Sequence, residues 1–125
     1  MSDRKDGARP SVESASSQAG EVLLDERDAA AVVQVAGALD LALAPKLRQL
    51  VDRAARREPR VLVLDLTQVS FLASAGMAEL VRAHRSLPDV RVVADGRITR
   101  RPLELTRLTD ELTLFPTLSA ALERP

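Results

Sequence analysis

Cysteine, tryptophan and tyrosine are absent from the 125 residues, phenylalanine occurs only as Phe71 and Phe115, and the single histidine is His84. The missing thiols exclude disulfides and cysteine nucleophiles, and together with the lone histidine they exclude zinc sites built on Cys or paired His. Too few aromatic rings exclude cation-binding cages and base-stacking RNA platforms, which need rings at two or more exposed positions. The five glycines, Gly7, Gly20, Gly37, Gly76 and Gly96, lie at least 13 residues apart. A phosphate-cradling loop needs two or three glycines within about six residues, so Walker A and dinucleotide fingerprints are missing. Charge of one sign is missing too: 18 basic and 18 acidic side chains cancel, and no strong unspecific attraction to nucleic acid or an anionic membrane is expected. No apolar run approaches the ~18 residues of a membrane span, and the start MSDRKDGARP lacks the apolar stretch of a signal peptide. The expectation is a soluble cytoplasmic protein.

What is present is a regular alternation of strand and helix patterns. Residues 1–20 are rich in Ser, Gly and charge, with Val12 their only large aliphatic residue, and are expected to form a disordered tail before a domain spanning 21–125. Val22–Leu24 and Ala31–Ala36 flank a charged turn and predict an antiparallel hairpin, closed by Gly37-Ala38-Leu39-Asp40. Leu43, Leu47, Leu50, Val51 and Ala54 then recur at helical spacing. The run Val61-Leu62-Val63-Leu64-Asp65-Leu66-Thr67 predicts a strand buried on both faces. A second helix is expected over Ala75–Ser86, a strand over Val90–Ala94, and an Arg-rich helix over Ile98–Leu108 with Thr99 as cap and Pro102 in its first turn. Leu112–Phe115 reads as an edge strand and Thr117–Glu123 as a last helix. The order ββαβαβαβα argues an α/β fold: an opening β-hairpin, then alternating helices and mostly parallel strands in a central mixed sheet. In such sheets function gathers at the C-terminal ends of the parallel strands, which directs attention to the connection after Thr67.

That connection, Thr67-Gln68-Val69-Ser70-Phe71-Leu72-Ala73-Ser74-Ala75-Gly76-Met77, places apolar residues in a loop and small residues at the start of a helix. Ser74 sits near the helix cap, and three readings attach to it. Its hydroxyl can simply accept from free helix amides. It can be a phosphorylation site, since a phosphate's charge suits the positive helix end. Or it can be a catalytic serine, although no Gly-x-Ser-x-Gly elbow surrounds it and His84, ten residues on along the same helix, stands about 15 Å away. His84 itself reads as a partly buried helix-face residue, and the basic stretch Arg91, Arg97, Arg100, Arg101, Arg107 as either a solvated helix face or a docking surface.

The turn Gly37-x-Leu39-Asp40, the strand VLVLDLT, the following Val-Ser-Phe-Leu, the Ser74-Ala75-Gly76 helix start and the closing LTRLTDELTLFPTLSAAL together resemble the STAS domain family, the anti-sigma factor antagonists of bacteria, over roughly residues 21–123. The resemblance implies a non-enzymatic STAS-like domain, without cofactor, metal or direct nucleic-acid contact, that binds an anti-sigma factor of the serine-kinase type and so frees a sigma factor for transcription. In the family the helix start reads Asp-Ser-Ser-Gly or Asp-Ser-x-Gly, and its first Ser, matching Ser74, is phosphorylated by the partner to end binding. The partner-binding residues so implied are Asp40, Ser70, Ala73, Ser74, Ala75, Gly76 and Met77. One departure stands out: Ala73 occupies the place of the family's Asp. The alternative it keeps open is a non-phosphorylated STAS subunit of a larger assembly, such as a lipid-transport ABC system.

Overall fold

A computed structural model of the chain describes residues 12–124. Its elements run β1 (Val12–Ser16), β2 (Gly20–Arg27), β3 (Ala30–Leu39), α1 (Ala44–Ala55), β4 (Val61–Leu72), α2 (Ser74–Ser86), β5 (Val90–Val93), α3 (Arg97–Leu105), β6 (Thr113–Phe115) and α4 (Leu118–Glu123), with a 3-10 turn at Leu108–Asp110 between α3 and β6. The strands form one sheet in sequence order, β1-β2-β3-β4-β5-β6. β1, β2 and β3 pair antiparallel, whereas β3/β4, β4/β5 and β5/β6 pair parallel. The mixed α/β sheet behind an opening hairpin is thus the one the sequence pattern predicts.

Alternation along the strands sorts side chains into two cores. Val33, Val35, Leu62, Leu64, Val90 and Val92 bury against α1 and α2 on one face, together with Leu103 of α3. Val32, Val63, Val93 and Phe115 bury on the other face beneath α4. Both faces of β4 are therefore apolar from Leu62 to Leu64, which is why that run shows no polar alternation. The amphipathic α1 lays Leu47, Leu50, Val51 and Ala54 on the sheet. At the far edge Arg91, buried in β5, gives its guanidinium to Asp89 and to the carbonyls of Ala121 and Arg124, fastening α4 to the sheet.

Four expectations need correction. Val12–Ser16 belongs to the sheet, in register with Asp25–Glu21 of β2; its alternating exposure and a Glu13–Arg53 ion pair to α1 hold a segment whose small polar residues disguise it as tail. Residues 1–11 of the expected tail lie outside the described residues. Phe71 and Leu72 are strand, not connection, because β3 extends to Leu39 and pairs Ala38 with Phe71 and Leu39 with Leu72. The N-cap of α3 is Gly96, and Pro102 falls mid-helix, while Thr99, the expected cap, is buried. Thr117 caps α4 instead of opening it: its side chain accepts the Ala120 amide at 3.0 Å.

β5 pairs only with Leu62–Asp65 of β4, so residues 66–72 of β4 project beyond it, flanked by β3 on one side and bordered by α3 on the other. The candidate site sits at this projecting end.

Candidate functional site

Two short motifs far apart in sequence build the site. The first is the end of β3. Gly37 has φ +82°, a backbone conformation that L side chains rarely adopt, and a Cβ there would stand 2.2 Å from the carbonyl oxygen of Ala19. The close approach lets the Ala38 amide bond to that oxygen at 2.9 Å and accompanies register shifts between Gln34 and Ala38 against β4. The strand then ends at Leu39, and Asp40 turns the chain: its Oδ1 accepts the amides of Ala42 and Leu43, each at 3.1 Å, and its carbonyl accepts that of Ala44 at 2.9 Å. Asp40 thus caps the turn leading into α1, in the manner of short acidic side chains before helices, and on this turn Leu41 is left 80% exposed.

The second motif is the junction of β4 with α2. Ala73 is the N-cap, still extended at φ −93° and ψ 167°; no side chain caps the helix, and its first turn carries no acid. Ser74, expected near the cap, is instead the first helical residue and is exposed. The shift by one residue follows from β4, which stays extended to its last pair with β3 and leaves the cap position to a residue without a polar side chain. The free amides and the positive end of the helix dipole therefore face outward beside the Ser74 hydroxyl.

The motifs meet through backbone and side chain. The Ala73 amide donates to the Leu39 carbonyl at 3.0 Å, and Gly76 lies so close to Leu39 that a Cβ would come within 2.5 Å of its Cγ. Gly76 is accordingly a packing residue. Met77 is half-buried against the main core, and its sulfur takes a 3.8 Å contact from the Thr106 hydroxyl. Ala75 is half-buried, and Ser70 is exposed on β4. Of the seven residues implied by the resemblance, Ser70 and Ser74 offer open polar groups, Asp40 and Gly76 shape the backbone, and Ala73, Ala75 and Met77 form small apolar surroundings.

Sequence reading placed Phe71 near the site but missed Leu41. Leu41 and Phe71, the latter 56% exposed, stand at the same end of the sheet as Ser74. The only signal for Leu41 was its failure to join the helical stripe of Leu43, Leu47 and Leu50. From Ser74 an open groove of about 700 Å³ runs along α2, lined chiefly by Met77, Ala78, Val81, Thr106 and Leu108. Arg82 and Arg85 border it, each engaged in an ion pair, with Asp52 and Glu111. Arg85 holds the Glu111 carboxyl below its ordinary pKa, chiefly by hydrogen bonding to it. A further bridge, Arg48 to the buried Glu79, has three contacts of 2.9–3.2 Å and, with Arg82–Asp52, ties α1 to α2. His84 and Ser74 lie ten residues apart on the one helix α2, a rise of about 15 Å, and the hydrolase pairing does not form. No group of three or more potential metal ligands occurs among the described residues, and no described helix is long and apolar enough to cross a membrane.

The six-stranded mixed sheet with its opening antiparallel strands is the fold that the STAS resemblance implies, and residues 21–121 match the STAS domain. The chain belongs to this family. It is 34% identical over 104 residues to the anti-sigma-F factor antagonist RsfB of Mycobacterium tuberculosis, covering 81% of this chain and 85% of the relative. It is 37% identical over 92 residues to an anti-sigma-B factor antagonist of Listeria monocytogenes, covering 70% and 81%. Among solved structures, an anti-sigma factor antagonist from Mycobacterium paratuberculosis superposes with TM-score 0.76 at 38% identity, covering 81% of this chain and 89% of the other. The unphosphorylated form of the anti-sigma factor antagonist SpoIIAA shares the fold, with TM-score 0.71 at 16% identity and coverage of 82% and 94%.

Proposed function

We propose that this chain is an anti-sigma factor antagonist, a binding protein without catalytic activity of its own. It docks an anti-sigma factor of the serine-kinase type in the cytoplasm through Asp40, Ser70, the Ala73–Met77 helix start and the outer side of α2, and so releases a sigma factor for transcription. Phosphorylation of Ser74 by that kinase ends the docking. The observation that carries the reading is the position of Ser74: an exposed hydroxyl at an uncapped, acid-free helix N-terminus, at the head of an apolar groove. Relatives named as anti-sigma factor antagonists over most of their length support the partner class. A phosphate there adds about 1.5–2 negative charges, favourable toward the helix end and repulsive toward a partner surface that fits the neutral form.

The test incubates the protein and its Ser74→Ala and Ser74→Glu variants with the purified anti-sigma factors of its own genome and ATP, reading intact mass and complex formation. A single phosphate absent from Ser74→Ala, together with loss of binding in the phosphorylated protein and in Ser74→Glu, is the expected result. Binding of one such factor by all three proteins, without phosphate, sinks the switch. Ala73 in place of the family carboxylate favours a second reading, a permanently bound STAS subunit of a larger assembly. A stoichiometric complex indifferent to both substitutions is its signature.

A further inference from the structure

Helix α3 has an outward face that its own fold does not use. Thr99 and Leu103 are its buried residues, while Ile98 and Leu105 are 55% and 69% exposed, two of the five large exposed apolar residues of the described chain. Ile98 and Leu105 are seven residues apart, two turns along the same side of a helix. Arg101 falls between them, about one turn from each, and Arg97 beside them. Neither Arg97 nor Arg101 makes an ion pair or side-chain hydrogen bond among the described residues, whereas Arg100 turns back to Glu104 and to the Ala94 carbonyl. The arginines of α1 and α2 behave differently: Arg48, Arg53, Arg82 and Arg85 all meet carboxylates. Of the four arginines in residues 97–107, Arg100 meets Glu104 and Arg107 meets Asp110, so Arg97 and Arg101 are the two left to take carboxylates from outside the domain.

We propose that the outward face of α3 is a second docking surface for an acidic amphipathic segment of the protein partner, which sets apolar side chains on Ile98 and Leu105 and carboxylates on Arg97 and Arg101. The inference rests on the antagonist reading, since the segment belongs to the same anti-sigma factor. The two surfaces are continuous: the chain leaving α3 supplies Thr106 and Leu108 to the groove that begins at Ser74. Two apolar side chains on a nine-residue helix are a small anchor for a bilayer, whose interfacial helices use a long apolar face. For nucleic acid, Ile98 and Leu105 stand where further phosphate contacts belong. A carboxylate-bearing helix or strand satisfies both parts of the face, with the guanidiniums offering bidentate geometry.

The test measures affinity of the purified anti-sigma factor for wild type, Arg97→Glu/Arg101→Glu and Ile98→Ser/Leu105→Ser by calorimetry at low and high salt, after circular dichroism confirms that the variants fold. These four side chains are solvent-facing, so folding is expected to survive. The charge-reversed variant is expected to bind at least about tenfold more weakly and to lose most of the salt dependence; the serine variant is expected to weaken binding while keeping the salt dependence. Wild-type binding with both variants within twofold overturns the inference and leaves the antagonist reading standing. Absence of wild-type binding to any anti-sigma factor overturns both. Parallel arms with anionic phospholipid vesicles and duplex DNA complete it: retention that the charge reversal abolishes, with anti-sigma binding unchanged, assigns the face to another partner and overturns the proposal.

Discussion

The carbonyl of Leu39 accepts the Ala73 amide at 3.0 Å while its side chain lies against Gly76, where a Cβ would come within 2.5 Å of Leu39 Cγ and 2.9 Å of its carbonyl oxygen. One residue of β3 thereby positions both the cap residue and the first turn of the helix that carries Ser74. A change at either partner alters where the Ser74 hydroxyl points without touching it.

Gly76→Ala is expected to cost about 1–3 kcal/mol, the usual range for overpacking a filled interior. Leu39→Ala alone is expected to cost about 2–5 kcal/mol. In the Leu39→Ala background the Gly76→Ala penalty should shrink, because the side chain it collides with is gone. Urea denaturation of the four proteins closes this cycle; additive penalties would mean that the two residues do not share the space described.

Ala73→Asp restores an acceptor at the N-cap of α2. The backbone there is already extended, as a cap requires, so the carboxylate can reach the free amides without rearrangement. A gain of about 0.5–2 kcal/mol is expected, read as a higher thermal midpoint, with Ala73→Leu as the control that gains nothing.

The Arg48–Glu79 bridge is asymmetric, with side-chain exposures of 53% and 10%. Arg48→Ala leaves an enclosed carboxylate without its charge-assisted bonds and is expected to lower the denaturant midpoint. Glu79→Leu removes the enclosed polar group and leaves an arginine that water can solvate, so its cost should be distinctly smaller. Denaturant midpoints rank the two; the reverse order would show that Arg48 is the residue needing the partner.

Glu111 is held below its ordinary pKa by Arg85. A depressed carboxyl stabilises the fold above its unfolded value and loses that contribution as pH falls through the folded one. The side-chain carbon shifts of Glu111, followed by NMR, should therefore titrate at a pH below the usual glutamate range. Arg85→Ala should return the titration to the ordinary range. An unchanged midpoint in that variant would show the contact to be absent in solution.

The fold was legible because its signals are long-period ones. The double-sided apolar run from Val61 to Leu64 and the helical spacing of Leu43, Leu47, Leu50 and Val51 each report burial, and burial is what those elements do. β1 escaped because Val12, Ser14 and Ser16 face solvent, so half of an edge strand looks like a polar tail. The end of β4 escaped because Thr67 and Gln68 are exposed and imitate a turn, whereas the strand continues only because β3 is equally long, a fact of pairing and not of local preference. At the site, Ser74 and its neighbourhood were visible through the motif. The roles of Gly76 and Asp40 were not: Gly76 packs on Leu39, remote in sequence, and Asp40 turns its carboxylate onto the amides two and three residues on.

The ends of β3 and β4 that reach past β5 form a cantilever. Its root is clamped between two cores, and its tip, from Ser70 to the first turn of α2 with Leu41 alongside, carries the exposed chemistry. The exposed side chains at the tip, Leu41, Ser70, Phe71 and Ser74, can be exchanged without repacking the root, as long as Gly37, Leu39, Leu72 and Gly76 keep the two strands' ends joined. If the proposed docking holds, the surface that selects a partner and the residues that make the chain fold occupy different stretches of the same two strands.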